Sequence, residues 1–179
     1  MLRQNDVAMT IIDLQEKLLP AIGNADRIIP NVIKLIRFAA ILELPLLLTE
    51  QYPKGLGRTV DPVAAELPGV FPIEKTSFGC MGDEGFCEAL ARTGRRQLVI
   101  AGVETHVCVL QTALGAVAQG FEAFVVRDAT GSRSDEEHLA GLDRLSRAGV
   151  SLVTTEMALF EILGKSDAPQ FKRAISLIK

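Results

Sequence analysis

Short aliphatic or β-branched runs alternate along this chain with longer stretches in which apolar residues recur at helical spacing. Residues 7–12 are apolar or β-branched almost throughout, as in a parallel strand covered on both faces, and the run ends at Asp13. Ile28, Ile29, Val32, Ile33, Leu35, Ile36, Ala39 and Ala40 then predict a helix over 26–44 with a wide buried face, stopped by Pro45. A second strand is predicted over 46–49, followed by a loop, EQYPKGLGRT, whose prolines and glycines argue against regular structure. A short helical piece over 60–67 and a Pro68-Gly69 turn lead to a third strand over 70–74, with Lys75 after it. The pattern continues with a helix over 83–92 that stops at Thr93-Gly94, and a fourth strand over 98–101 that Gly102 breaks. A helix over 107–119 has few polar positions, mainly Gln111, Thr112 and Gln119. After a fifth strand over 121–126, Ser134 caps a helix over 134–148 that Gly149 stops, and 150–153 is the sixth strand. Two short helices, over 156–163 and 168–178, complete the prediction.

Six strands alternating with helices imply an α/β fold of three layers, a six-stranded parallel Rossmann-like sheet with helices on both faces. No repeat, low-complexity stretch or linker divides the 179 residues, so a single domain over 1–179 is expected. In such sheets ligands bind outside the carboxyl ends of the strands, at the switch in strand order. Asp13 follows strand one, Lys75 follows strand three, and Cys108 opens the helix after strand four, so the three share one edge. Thr105 is read as the N-cap of that helix, which puts Cys108 in its first turn, where the helix dipole favours a thiolate. The local sequence VCVL is equally that of a small core hydrophobe; what tips the balance is the convergence of Asp13 and Lys75 on the same edge.

A net charge of -3 and the lack of a basic cluster give no electrostatic case for a nucleic-acid partner. No apolar run approaches the length of a membrane span and the N-terminal stretch lacks a cleavage pattern, so a cytoplasmic protein with no membrane partner is expected. Three cysteines at irregular positions make neither a disulfide framework nor a zinc spacing.

Of the two histidines, His106 lies two residues from Cys108, and on one helix that spacing points them to opposite faces. A desolvated carboxylate is the better base, and Asp13 at a buried strand end fits it. Lys75 would hold the charged forms and orient a carbonyl, and the backbone N–H groups of Glu104 and Cys108 would form an oxyanion hole. Together these describe acyl transfer through a thioester, followed by hydrolysis. Gln51, Tyr52 and Phe78, on loops at the same edge, and Thr105 are candidate substrate contacts, although Tyr52 and Phe78 serve as readily as packing. Asp128, Ser132 and Arg133 read as turn and buried ion-pair residues, Cys80 and Cys87 as bystanders. Two other readings stay open: a thiol redox protein, which needs a resolving cysteine near Cys108, and a catalytically silent scaffold.

The segments TIIDLQEKL, TEQYPKGLG, IEKTSFGC, VIAGVETHVCVLQTAL and VVRDATGSRS resemble the isochorismatase-like cysteine hydrolases, from about Val7 to the C-terminus. The resemblance is closest to the isochorismatase domain-containing branch. It implies a Cys-Asp-Lys triad, which by motif position is Cys108, Asp13 and Lys75. It also implies a non-proline cis peptide between Val103 and Glu104, aiming the amides of that turn at the oxyanion. The nicotinamidase branch holds a metal with an Asp-x-His pair near the second strand; this chain has EQYPKGLGRT there, so no metal and no other cofactor is expected. A small-molecule substrate with an amide, carbamoyl or related C–N bond is expected instead. The apolar helix after Cys108 and the habit of the family point to a homo-oligomer, a dimer or larger.

Overall fold

The computed structural model describes residues 1–178, and its elements follow the hydrophobic pattern closely. The strands are β1 (Val7–Ile12), β2 (Leu46–Gln51), β3 (Ile73–Lys75), β4 (Gln97–Val103), β5 (Glu122–Gly131) and β6 (Ser151–Val153). They form one all-parallel sheet in the order β3-β2-β1-β4-β5-β6. The main helices are α1 (Ala25–Leu42), α2 (Pro53–Leu56), α3 (Asp61–Ala64), α4 (Glu84–Arg92), α5 (Leu110–Ala118), α6 (Asp135–Arg147), α7 (Thr155–Leu163) and α8 (Phe171–Ile175).

Alternate residues of the central strands feed two cores. Met9, Ile11, Val99, Ala101, Phe124 and Val126 pack with α1, α3, α7 and α8 on one face. Ala8, Ile12, Leu98, Ile100, Ala123 and Val125 pack with α4, α5 and α6 on the other. Both faces being covered explains why these strands read as unbroken apolar runs. The order of strands reverses between β1 and β4, whose ends stand side by side with Ile12 opposite Gly102.

Four expectations are corrected. Gly102 does not break β4: the strand runs through it to Val103, because φ +116° lets the backbone lie against Ile12, where a Cβ would overlap the Ile12 carbonyl oxygen. The loop after β2 contains a helical turn, α2, since Pro53 at its first position has its φ preset and lacks the N–H that would go unpaired. The third strand is shorter and later than 70–74: Pro72 has no N–H to give a ladder, Phe71 is exposed, and pairing to β2 starts at Ile73, with Lys75 as the last strand residue. Finally, the segment after β4 enters as a π-helical turn, Thr105–Val109, and α5 starts only at Leu110.

Candidate active site

Asp13 leaves β1 in a left-handed conformation, φ 54°, which turns its carboxylate back over the strand ends. Oδ1 accepts a hydrogen bond from Thr49 Oγ1 at 2.7 Å, and Oδ2 pairs with Lys75 Nζ at 2.7 Å. Both side chains are sealed from solvent. A buried charge pair of this kind holds only when its remaining hydrogen-bonding capacity is met. Here Lys75 Nζ also donates to Gln51 Oε1 at 2.7 Å and to the carbonyl of Phe78 at 3.1 Å, with the Ser77 carbonyl at 3.3 Å. Gln51 is held in turn: its Nε2 donates to the Thr76 carbonyl, its N–H donates to Gln15 Oε1, and Gln15 Nε2 donates to the Gln51 carbonyl. Thr49, Gln51 and Lys75 therefore brace one another across β2 and β3.

Cys108 lies within the π turn, 5% exposed, near enough to the same Asp13 carboxylate for that charge to act on its thiol. The reading of an easily ionised thiol is corrected here. Burial first, and the neighbouring Asp13 charge second, push the Cys108 thiol up from 9.0 to about 12, against the smaller pull of Lys75. The dipole advantage of a helix start is also reduced, because α5 begins two residues after Cys108. Nor does Thr105 act as the N-cap: its hydroxyl pairs with His138 Nδ1 at 2.9 Å, and the residue is fully buried.

The peptide between Val103 and Glu104 is cis, as the resemblance implies. The Glu104 carbonyl accepts from the Val107 and Val109 N–H groups, while the Glu104 N–H donates in none of the backbone hydrogen bonds of the turns and loops among the described residues. The turn is clamped from the loop after β5 and from α6: Arg133 Nε donates to Glu104 Oε2 at 2.9 Å, His106 Nδ1 meets Ser132 Oγ at 2.9 Å, and Gly141 of α6 allows close contact with the His106 backbone. Of the residues read as turn and buried ion-pair positions, Arg133 and Ser132 thus serve Glu104 and His106, and the Arg133 side chain is exposed rather than buried. His138 joins this support without any signal in its helical context that marks Thr105 as its partner.

Tyr52 and Phe78 are each 55% exposed at this edge. The Tyr52 N–H donates to the Lys75 carbonyl at 2.9 Å, and a cavity of about 260 Å³ beside it is lined by Tyr52, Pro53, Lys54, Glu74, Lys75 and Thr76. Cys80 lies closer to the site than a bystander needs to. Its N–H donates to Thr112 Oγ1 at 2.9 Å, and that hydroxyl donates to the Cys108 carbonyl at 2.6 Å. Burial pushes the Cys80 thiol up to about 11.

Residues 7–157 match the Isochorismatase domain family. The chain is 42% identical over 170 residues to isochorismatase domain-containing protein 1 of Salmo salar, covering 93% of this chain and 59% of that protein. Among solved structures it is similar to the MAR1 ribonuclease of Caenorhabditis elegans, with TM-score 0.93, 35% identity, and 99% and 91% of the two chains covered. It is also similar to the ycaC gene product of Escherichia coli, described as an octameric hydrolase of unknown specificity, with TM-score 0.91, 32% identity, and 98% and 89% covered. No helix among the described residues is long and apolar enough to cross a membrane. With the family domain spanning β1 to the start of α7 and relatives this similar along most of its length, the chain belongs to the isochorismatase family.

Proposed function

We propose that this protein is a metal-independent cysteine hydrolase of a small molecule, cleaving an amide, carbamoyl or related C–N bond. The observation that carries the reading is the single carboxylate of Asp13, shut off from water, paired with the Lys75 ammonium and acting on the buried Cys108 thiol. Because the thiol is neutral at neutral pH, it needs a base at the moment of attack. Asp13 takes the thiol proton as Sγ adds to the substrate carbonyl carbon, and gives it to the nitrogen as the C–N bond breaks. The amine leaves, and the acyl group stays on Cys108 as a thioester. Water then loses a proton to Asp13 and attacks the thioester carbonyl, releasing the acid and restoring the thiol. The amides of Glu104 and Cys108 stabilise the oxyanion of both tetrahedral intermediates, and Lys75 supplies the fixed positive charge beside them. Tyr52 and Phe78 line the approach. Gln51, bonded to Lys75, supports this role as much as substrate contact.

The test is a panel of small amides, carbamates and ureas, followed by intact-mass measurement of the enzyme in the steady state. A substrate-dependent acyl mass on Cys108, lost on addition of hydroxylamine and absent in Cys108→Ser, is the expected result. Turnover that survives Cys108→Ser would overturn the reading.

The name of the nematode relative raises an RNA substrate. The net charge of -3 here offers little of the phosphate neutralisation on which RNA affinity depends, which favours a small molecule. The half-buried apolar positions of α5, Leu110, Leu114 and Val117, and the octameric state of the ycaC product support assembly of this chain into a homo-oligomer. Light scattering is expected to give a multiple of 19.3 kDa; a mass of one chain at micromolar concentration would contradict it.

A further inference from the structure

On the face of the sheet occupied by α1 and α3, away from Cys108, β2 and β3 wall a second cavity of about 580 Å³. That size is typical of small-molecule sites. Leu48 and Leu67 give it apolar surface, while Glu16, Glu50, Asp61 and Glu74 bring four carboxylates to it against one guanidinium, that of Arg58. An acidic rim alone would be an ordinary solvated surface. Glu50 is different, being only 5% exposed.

Glu50 is fixed rather than flexible. Its Oε1 accepts from the Thr59 N–H at 2.7 Å and from Thr59 Oγ1 at 2.8 Å. Its Oε2 has no partner among the described residues, yet is not enclosed by protein, and so opens to the cavity that Glu50 lines. Among the described residues no Lys, Arg or His side chain pairs with it, and the Arg58 guanidinium, in the same cavity, pairs with none of the four carboxylates. Carboxylates this deep are ordinarily matched by a cation. We infer that this cavity is a binding site for an organic cation, an ammonium or guanidinium group on a short hydrocarbon stem. Its head pairs with Glu50 Oε2 and its stem lies on the Leu48 and Leu67 surface.

The occupant is an extended organic cation rather than a metal ion, because among the described residues no three His, Cys, Asp or Glu side chains converge as the ligands of one ion would. Glu74 and Asp61, both exposed, are placed to meet a second positive group at the mouth. The site is separate from the chemistry proposed for Cys108, although Glu74 borders both cavities. Thr49 and Gln51, which flank Glu50 on β2, turn to the opposite side, toward Asp13 and Lys75.

The test uses agmatine as probe, with 1-pentanol as an uncharged counterpart, by calorimetric titration and by amide chemical shifts of the full chain. Saturable binding of agmatine, with shifts at Arg58, Thr59 and Asp61 and none at Thr105 to Cys108, is the expected result. Glu50→Gln should weaken binding by about tenfold, and Glu74→Gln and Asp61→Asn, at exposed positions, by about threefold each. Added salt should weaken it further. The inference is overturned by absence of saturation up to about 50 mM, by equal binding of 1-pentanol, by shifts centred on Cys108, or by unchanged affinity in both rim variants. Because the rim variants do not disturb a buried residue, they decide the matter even where Glu50→Gln fails to fold.

Discussion

Asp13 binds two partners through its two oxygens, Thr49 Oγ1 on Oδ1 and Lys75 Nζ on Oδ2, and its charge acts on a third, the Cys108 thiol. Each partner tests a different part of its role. Asp13→Asn keeps the shape and removes the base, and is expected to lower kcat by about 10² to 10⁴-fold on whichever substrate the panel yields; retention of more than a tenth of the wild-type rate would exclude Asp13 as the base. Lys75→Met removes the cation that pairs with the buried carboxylate and leaves it uncompensated, so urea unfolding should show a loss of about 3 to 5 kcal/mol. A loss near zero would mean that the Asp13 charge is screened by something else. The positions of these three residues were legible in the sequence because each lies at or beyond the carboxyl end of a strand, and in a parallel sheet those ends share one edge. What their neighbours do to them was not. The dipole at a helix start suggested a low thiol pKa, but burial and the neighbouring Asp13 charge act in the opposite direction and prevail. The supporting roles of Thr49 and Gln51 depend on β2 lying beside β1 and β3, which residue spacing alone does not reveal.

At the scale of elements, the strand ends and the turn after β4 set the geometry. Ile12 and Gly102 face each other across β1 and β4, and the φ of +116° at Gly102 lets the two backbones meet closely just before the chain enters the Cys108 turn. Gly102→Ala places a Cβ against main chain that cannot move aside. A destabilisation of at least about 2 kcal/mol is expected in urea, together with loss of Cys108 reactivity toward substrate; a stable, active variant would show that the close approach is dispensable. A glycine in that position is visible in the sequence, but its two possible uses, ending a strand or permitting contact within it, are told apart only by the partner strand. The π turn is a similar case. Thr105 has the composition of an N-cap, yet its hydroxyl is claimed by His138, 33 residues away on α6. Pro53 reads as a breaker and instead begins a helical turn.

For the whole molecule, the parallel sheet with its two cores was legible from the alternation of strand and helix patterns, and the β1/β4 reversal brings Asp13 and Cys108 to the crevice where ligands of such sheets bind. The cores also set a pH limit. The thiols of Cys80 and Cys108 are pushed from 9.0 to about 11 and about 12 in the folded chain. The unfolded chain therefore gives up these protons at lower pH than the folded one. Their contribution to stability is complete below pH 9.0 and is lost as pH rises through the folded values. Urea midpoints should fall above pH 9.0, and less steeply in Cys80→Ser; identical profiles for the two proteins would contradict the assignment. The most direct test of the shared Asp13, Lys75 and Cys108 site is the rate of Cys108 alkylation by iodoacetamide against pH, followed by peptide mass spectrometry. Slow reaction near neutral pH is expected, rising without a plateau beyond pH 9.0. Asp13→Asn should move the profile to lower pH, since an adverse negative charge is removed and Lys75 remains, and Lys75→Met should move it higher. A wild-type plateau reached at or below neutral pH, or a single profile shared by all three proteins, would contradict a Cys108 thiol governed by these two charges.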